Sequence, residues 1–241
     1  MIKSLLIVVF CLATSIAHGQ FNSEQYRKNA IKSNIVPPLL SATSEISYER
    51  LLQPNLSIVA AIGANLRGNL SDFVLNPSAD LRFLNRDIKN RYFLTEIRRY
   101  IDFCGCDHIP LHGFYAGGFV RYNSLSISSD LQFGSNSTNL DTKIALDFRS
   151  FNFGPMVGYQ INLNNWLIDF EIGGLGYSPN WINYNTSSAL SNSDLDKLSD
   201  ALSRNFGIGG NYKEIELNSS SGETSFWYWT FRYAVSIGYS F

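Results

Sequence analysis

The last sixteen residues of the chain, Phe226 to Phe241, read FWYWTFRYAVSIGYSF and end on an aromatic ring. Alternate positions separate into two faces. The face that runs from Trp227 to Phe241 is apolar or aromatic throughout, whereas the other face is mostly small or polar and contains Arg232. A repeat of two residues indicates a strand that lies between two different environments. The fold class therefore depends on which of the two faces lies inside.

The first residues of the chain have the features of a secretory signal peptide. Lys3 supplies the positive end, LLIVVFCLATSIA is the apolar middle, and Ala17-His18-Gly19 is a small-x-small cleavage site. The apolar run is shorter than the roughly 20 residues that a membrane-spanning helix needs. We therefore predict a signal peptide over residues 1–19 and one mature domain over residues 20–241.

Composition limits the class of protein. The 19 basic and 20 acidic residues nearly cancel, so the charge gives no support to a nucleic-acid partner. The hydrophobic content of 45% is ordinary. Transmembrane β-barrels share this ordinary average, because lipid-facing and interior residues alternate along each strand.

Eight stretches after the signal have the character of strands. The gaps after the second, fourth and sixth stretches are short and rich in Pro, Asn, Gly and Asp, whereas those after the third, fifth and seventh are long. This spacing predicts an all-β, eight-stranded antiparallel transmembrane β-barrel with short periplasmic turns and long outer loops. The predicted strands are 28–36, 41–52, 56–67, 91–103, 111–126, 144–163, 166–179 and 226–241.

Charged residues fall on the polar faces of these strands, and their signs nearly balance, which is expected of paired groups in a confined interior. Small residues between them are poor formers of a solvent-facing strand but suit a crowded lumen. The polar faces carry Lys32, Glu45, Glu49, Arg67, Glu96, Arg98, Asp102, Arg121, Asp169, Glu171 and Arg232. We predict a salt-bridge network in the lumen formed by Lys32, Glu49, Glu96, Arg98, Arg121, Glu171 and Arg232.

Aromatic residues gather near the two ends of the apolar faces. Two such girdles around an apolar band are typical of lipid-facing barrel walls. The predicted girdle residues are Trp166, Tyr239 and Phe241 near the short turns and Trp227 and Trp229 toward the long loops.

Three details of the alternation need explanation. Arg50 and Arg99 lie on apolar faces; Arg50 is near a strand end, where its side chain can reach water, whereas Arg99 raises the possibility of an error in register. The apolar residues at the start of strand six, Ile144 to Phe148, are out of phase with those that follow. We therefore predict a bulge near Ser150.

The last long loop contains the pattern of a short amphipathic helix. In SNSDLDKLSDALSRNFG, Ser193 is the predicted N-cap with Asp196 three residues later, and Gly207 is the predicted stop. The residues of one helical face are Leu195, Leu198, Leu202 and Phe206. The helix is expected over the barrel mouth or along the outer leaflet, where it either packs its own loop or binds a partner or lipid.

No catalytic, cofactor-binding or metal-binding residue is predicted. Cys104 and Cys106 form a Cys-Gly-Cys turn with only His108 and His112 nearby, and a zinc site needs about four ligands; free thiols or a strained local disulfide are the alternatives. Both histidines fall at the short-turn end, away from an outer-leaflet substrate. Carboxylates at the loop end could include Asp147 with Asp72 or Asp130, but their spacing does not single them out.

The sequence resembles the small eight-stranded outer-membrane barrels typified by the OmpA transmembrane domain and OmpX, and barrels of similar length in Bacteroidetes-type bacteria. The resemblance rests on EISYERLL before a tight turn, EIRRY, HGFYAGGF, GPMVGYQI and the terminal YSF, in that order. It implies that the outer-membrane assembly machinery reads the final aromatic residue, Phe241. It also implies a monomer in the cell outer membrane, among lipids that include lipopolysaccharide.

The expected function is that of a non-enzymatic outer-membrane barrel with a filled polar lumen, which supports envelope integrity or surface interactions through its outer loops. Two alternatives stay open: a lipid-active outer-membrane enzyme, either an acyl hydrolase or a transferase, and a soluble periplasmic lipocalin-like binding barrel.

Overall fold

The computed structural model describes residues 27–35, 43–65, 81–101, 110–133, 142–163, 165–187, 191–206 and 221–241. These residues are nearly all antiparallel β-sheet with one short helix, which confirms the all-β prediction. The described elements, in chain order, are β1 Asn29–Asn34, β2 Thr43–Gln53, β3 Leu56–Asn65, β4 Leu81–Ile101, β5 Gly113–Phe133, β6 Thr142–Leu163, β7 Trp166–Thr186, α1 Asn192–Phe206 and β8 Ser221–Ser240.

Neighbouring strands pair in sequence order, and β1 also pairs with β8, so that the sheet closes on itself. One row of paired residues leaves β8 at Ser236 and, after crossing every strand, returns to β8 at Phe226, ten residues away. Ten residues at about 3.3 Å, set against eight strand spacings of about 4.8 Å, correspond to a strand tilt of about 40°. The row is Ser236, Asn34, Glu45, Gly63, Tyr92, Asn123, Ser150, Asn180 and Phe226.

Strands β4 to β8 are about twice as long as β1 to β3 and continue beyond them at the long-loop end. The last described pair between β3 and β4 joins Ala64 to Arg91. We call the part of β4 to β8 beyond this row the extension. It comprises residues 81–90 of β4, 125–133 of β5, 142–148 of β6, 182–186 of β7 and 221–224 of β8. Much of what the sequence predicted to be long loop is therefore strand.

The two sides of the sheet exchange polarity at the base of the extension. Below it, interior side chains are mostly polar and outward side chains are mostly apolar; within the extension, the interior is mostly apolar and the outward side chains are mostly polar. In β6, Asp147 and Arg149 point outward and are followed on the same side by Phe151 and Phe153. On the interior side of the same strand, Phe148 is followed by the polar residues Ser150 and Asn152.

The bulge predicted near Ser150 is wrong, and the exchange of polarity explains the pattern that suggested it. Strand β6 keeps one phase through that point, since Ile144 and Phe148 are buried on the same side as Ser150 and Asn152. The apolar residues are out of phase because the interior itself becomes apolar. The bulge lies in β7 instead, where Glu171 pairs with Ala234 but Gly174 already pairs with Arg232, which leaves one extra residue in β7.

Helix α1 packs on the apolar interior of the extension. The Oγ of Ser191 accepts a hydrogen bond from the backbone N–H of Asp194 at 3.3 Å and donates to its carboxylate at 2.7 Å. The N-cap is therefore Ser191 and not the predicted Ser193, because Asp194, not Asp196, is the acidic partner. The helix contributes two leucines to an apolar cluster with the strands, which consists of Ile88, Ile127, Leu131, Ile144, Leu146, Phe148, Ile182, Tyr184, Leu195 and Leu198.

Several sequence predictions fall outside the described residues and stay predictions. They concern the signal peptide over 1–19, the Cys104 to Cys106 turn, and the stop at Gly207. The same holds for the side chains that complete the predicted helical face and for two of the polar-face charges. These side chains are Leu202, Phe206, Arg67 and Asp102. No helix among the described residues is long and apolar enough to cross a membrane.

Candidate functional site

The interior below the extension contains a cluster of buried charges centred on Asp169. This aspartate, on β7, receives a contact of 2.6 Å from the Nζ of Lys32 on β1 and another of 2.6 Å from a guanidinium nitrogen of Arg98 on β4. The hydroxyl of Tyr115 on β5 donates to its second oxygen at 2.8 Å. Asp169 therefore links strands that are far apart in the sequence.

Glu49 forms the second anionic centre. Lys32 contacts one of its oxygens at 2.8 Å, while the hydroxyl groups of Ser57 and Tyr100 donate to the other at 2.5 and 2.8 Å. The carbonyl oxygen of the Gln160 side chain accepts a further hydrogen bond from Lys32 at 3.2 Å. Lys32 is only 2% exposed, and these contacts offset the free energy of removing its charge from water.

A third group of charges continues the network along β4, β7 and β8. The carboxylate of Glu96 contacts Arg98 at 2.5 Å through one oxygen and Arg232 at 2.8 Å through the other. The same nitrogen of Arg232 lies 2.5 Å from Glu171. Because β7 carries its bulge just after Glu171, this glutamate keeps the interior phase of Asp169 while the rest of β7 follows the phase of Gly174.

Arg121 is the exception among the predicted network residues. Its guanidinium lies over the face of Tyr92, 3.8 Å from the ring centroid, and its Nε donates to the side chain of Asn123 at 2.8 Å. Tyr92 in turn donates its hydroxyl to Glu45 at 2.6 Å. Arg121 is therefore held by an aromatic ring and an amide and stands apart from the charge network.

The structure brings six of the seven predicted residues together, namely Lys32, Glu49, Glu96, Arg98, Glu171 and Arg232. Sequence reasoning placed Asp169 on the polar face but left it out of the network. It also missed the neutral partners Tyr100, Tyr115 and Gln160. Their alternation with outward apolar residues was the available signal, yet the register that brings them beside Glu49 and Asp169 is a long-range property.

The network nearly fills the space around it. The cavity between Lys32, Arg98, Asp169, Glu171 and Arg232 has a volume of about 10 Å³, which is about the space of a single water molecule. At this level the closed sheet is a packed structure of paired ions and offers no path to a larger solute.

Large aromatic side chains cover the outside of the same strands. All four tryptophans of the chain, at positions 166, 181, 227 and 229, are exposed, and Phe231 is 66% exposed. Near the long-loop end, Tyr177 lies 5.5 Å from Trp227 and 5.8 Å from Trp229, measured between ring centroids. The apolar and aromatic face of the terminal sequence FWYWTFRYAVSIGYSF is therefore the outer face.

The short-turn end has its own outward aromatic group. Trp166 lies 5.8 Å from Tyr239 between ring centroids, and the side chain of Asn165 donates to the Tyr239 hydroxyl at 2.7 Å. Arg50 and Arg99 are also exposed on this outer face. Arg99 pairs with the first residue of β3, close to a short turn, so its position follows the strand alternation and needs no change of register.

Among the described residues, the candidate catalytic groups do not converge; Asp72 and His108 lie outside the described residues. His112 accepts a hydrogen bond from the backbone N–H of Asn162 at 3.1 Å, at the short-turn end. Asp147 accepts a hydrogen bond from Ser126, and Asp130 accepts one from Asn85. The two aspartates lie at different levels of the sheet. Within the described ranges, no group of three or more His, Cys, Asp or Glu side chains could hold a metal ion.

Comparisons with known proteins do not assign the chain to a family. The sequence matches no protein-family model and no curated protein.

Proposed function

We propose that the chain is a non-enzymatic outer-membrane β-barrel, in which a core of paired ions closes the lumen and the extension with its loops faces the outside of the cell. The observation that carries this proposal is the inverted polarity of the wall. Trp229 is 58% exposed on the outer face, whereas Glu49 on the interior face is fully buried. Exposed apolar area on this scale favours contact with lipid over contact with water.

The height of the apolar band agrees with this proposal. Twelve residues separate Trp227 from Tyr239 along β8. At about 3.3 Å per residue and a tilt of about 40°, they cover a height of about 30 Å. This is about the thickness of the hydrocarbon core of a bilayer. The two aromatic groups would then lie at its two interfaces, as the girdles of a membrane barrel do.

The extension supports a role at the surface. Its outward side chains are polar, and its own apolar core is closed by helix α1, so this part of the sheet is suited to water. It would raise the loops between the long strands above the outer leaflet. The filled interior favours stability and surface interaction over transport as the contribution to the envelope.

Expression of the full chain in a Gram-negative host, followed by membrane fractionation, tests this proposal. We expect recovery with the outer membrane, migration on gels that changes on heating, and surface cleavage by protease within residues 188–225. In detergent, the purified protein should release no fatty acid from phospholipid. A mature chain that stays folded and dissolved in plain buffer would overturn the assignment.

A further inference from the structure

Two arginines and a serine form one row on the outer face, where the extension begins. Arg91 on β4 pairs with Ser124 on β5, which pairs in turn with Arg149 on β6. Adjacent strands are about 4.8 Å apart, so the Cα atoms of the two arginines are about 10 Å apart with Ser124 between them. Both arginines are exposed, and their long side chains can converge above the serine hydroxyl.

Three aromatic side chains form the next outward row toward the short-turn end. Phe93 pairs with Tyr122, and Tyr122 pairs with Phe151. Their exposed fractions are 51%, 43% and 37%. The patch is therefore cationic on the side of the extension and apolar on the side of the apolar band. A lipid has the same arrangement, with a charged headgroup above apolar acyl chains.

The two arginines differ from the neighbouring cation on the same face. Lys89 on the same strand pairs with Asp87 at 3.0 Å, and the interior Arg98 and Arg232 are paired as described above. Neither Arg91 nor Arg149 has an ion-pair partner among the residues that the structure describes. Their positive charge is thus available to an anion from outside the chain.

We propose that Arg91, Ser124 and Arg149 bind the phosphate-monoester headgroup of a membrane lipid, whose acyl chains lie along Phe93 and Tyr122. The inference rests on the proposed function, since it requires the outer face to meet lipid. A phosphate monoester carries close to two negative charges, which match two guanidinium groups, and its oxygens can accept from both arginines and from the serine. A phosphodiester headgroup has one charge and fewer free oxygens.

Native mass spectrometry of the purified protein in detergent can count retained lipid. The probes are dioleoyl phosphatidic acid, a monoester, and dioleoyl phosphatidylglycerol, a diester. We expect the wild type to retain phosphatidic acid in preference, and the double variant R91A/R149A to need about tenfold more of it for half occupancy. The matched control R50A/R99A removes two arginines from the other end of the same face and should retain the preference.

Three outcomes would overturn the inference: equal retention of the two lipids by the wild type, equal losses in the two double variants, or displacement of phosphatidic acid by an equal concentration of inorganic phosphate. The last would mean that the acyl chains contribute nothing. Heat-modifiable migration of both double variants verifies that they are folded. If the wild-type protein requires detergent but the double variant R91A/R149A keeps the same lipid preference, only this inference fails. If the wild-type protein stays folded and dissolved without detergent, the proposed function fails as well.

Discussion

At the scale of single residues, Arg98 and Arg99 are adjacent in the chain but lie in opposite environments. Arg98 bonds Asp169 and Glu96 in the interior, whereas Arg99 is exposed on the outer face near a short turn. Removing one partner of a buried ion pair leaves an uncompensated charge, which costs far more free energy than removing an exposed charge. Neighbours of the same type therefore provide a direct test of which face is inside.

We predict that Arg98→Met lowers the free energy of unfolding by about 3–5 kcal/mol, because Asp169 and Glu96 then lose a buried cation. Arg99→Met should change it by less than about 0.5 kcal/mol. Urea unfolding of protein inserted in lipid vesicles, followed by tryptophan fluorescence, measures both changes. Equal destabilisation by the two substitutions would contradict the assigned interior.

Arg121 provides a graded test at the same scale. Its contacts are the face of Tyr92 and the amide of Asn123, and among the described residues it has no salt bridge to an acidic side chain. We predict that Arg121→Met costs about 2 kcal/mol, the sum of a cation–π contact and one hydrogen bond, which is below the cost of Arg98→Met. The same urea experiment compares them; a loss as large as that of Arg98→Met would place Arg121 in the charge network after all.

At the scale of elements, the terminal strand could be predicted from its sequence but the extension could not. In β8 the alternation is clear because one side meets the polar interior throughout the band. In β6 the residues from Ile144 to Phe148 break the same pattern, and a sequence gives no means of telling a bulge from a change in the interior. The bulge of β7 is invisible for the same reason, since Ile172 and Gly173 fit either face.

Helix α1 should undock from the extension without unfolding of the sheet. Leu198 is fully buried against the interior of the extension, while Lys197 beside it is exposed. Leu198→Ala removes buried methyl groups and should destabilise the docked helix by about 2–4 kcal/mol. We expect trypsin to cleave faster at Lys197, while gel migration of the unheated protein is unchanged. Ser193→Ala, at an exposed position of the helix, is the matched control. If cleavage is no faster than in that control, the helix does not depend on this contact.

At the scale of the whole molecule, the choice of faces was predictable and the network only in part. The sequence shows which residues alternate, so it could assign Lys32, Glu49 and Arg232 to the interior. It could not show that Asp169 meets Lys32 and Arg98, because those contacts depend on the ten-residue offset around the closed sheet. That offset is a property of all eight strands together, and no single strand encodes it.

The same geometry predicts the depth of each tryptophan in a bilayer. A variant that keeps only Trp227 should be quenched most by phosphatidylcholine with bromines near the headgroup, because this residue lies at the long-loop edge of the apolar band. A tryptophan-free background carrying Tyr233→Trp should be quenched most by bromines deep in the acyl chains. Tyr233 is outward and exposed, and six residues from Trp227 at about 3.3 Å and a tilt of about 40° place it about 15 Å deeper. Fluorescence of the two proteins in vesicles measures the difference. An identical depth profile would exclude the tilted, lipid-facing wall on which the proposed function depends.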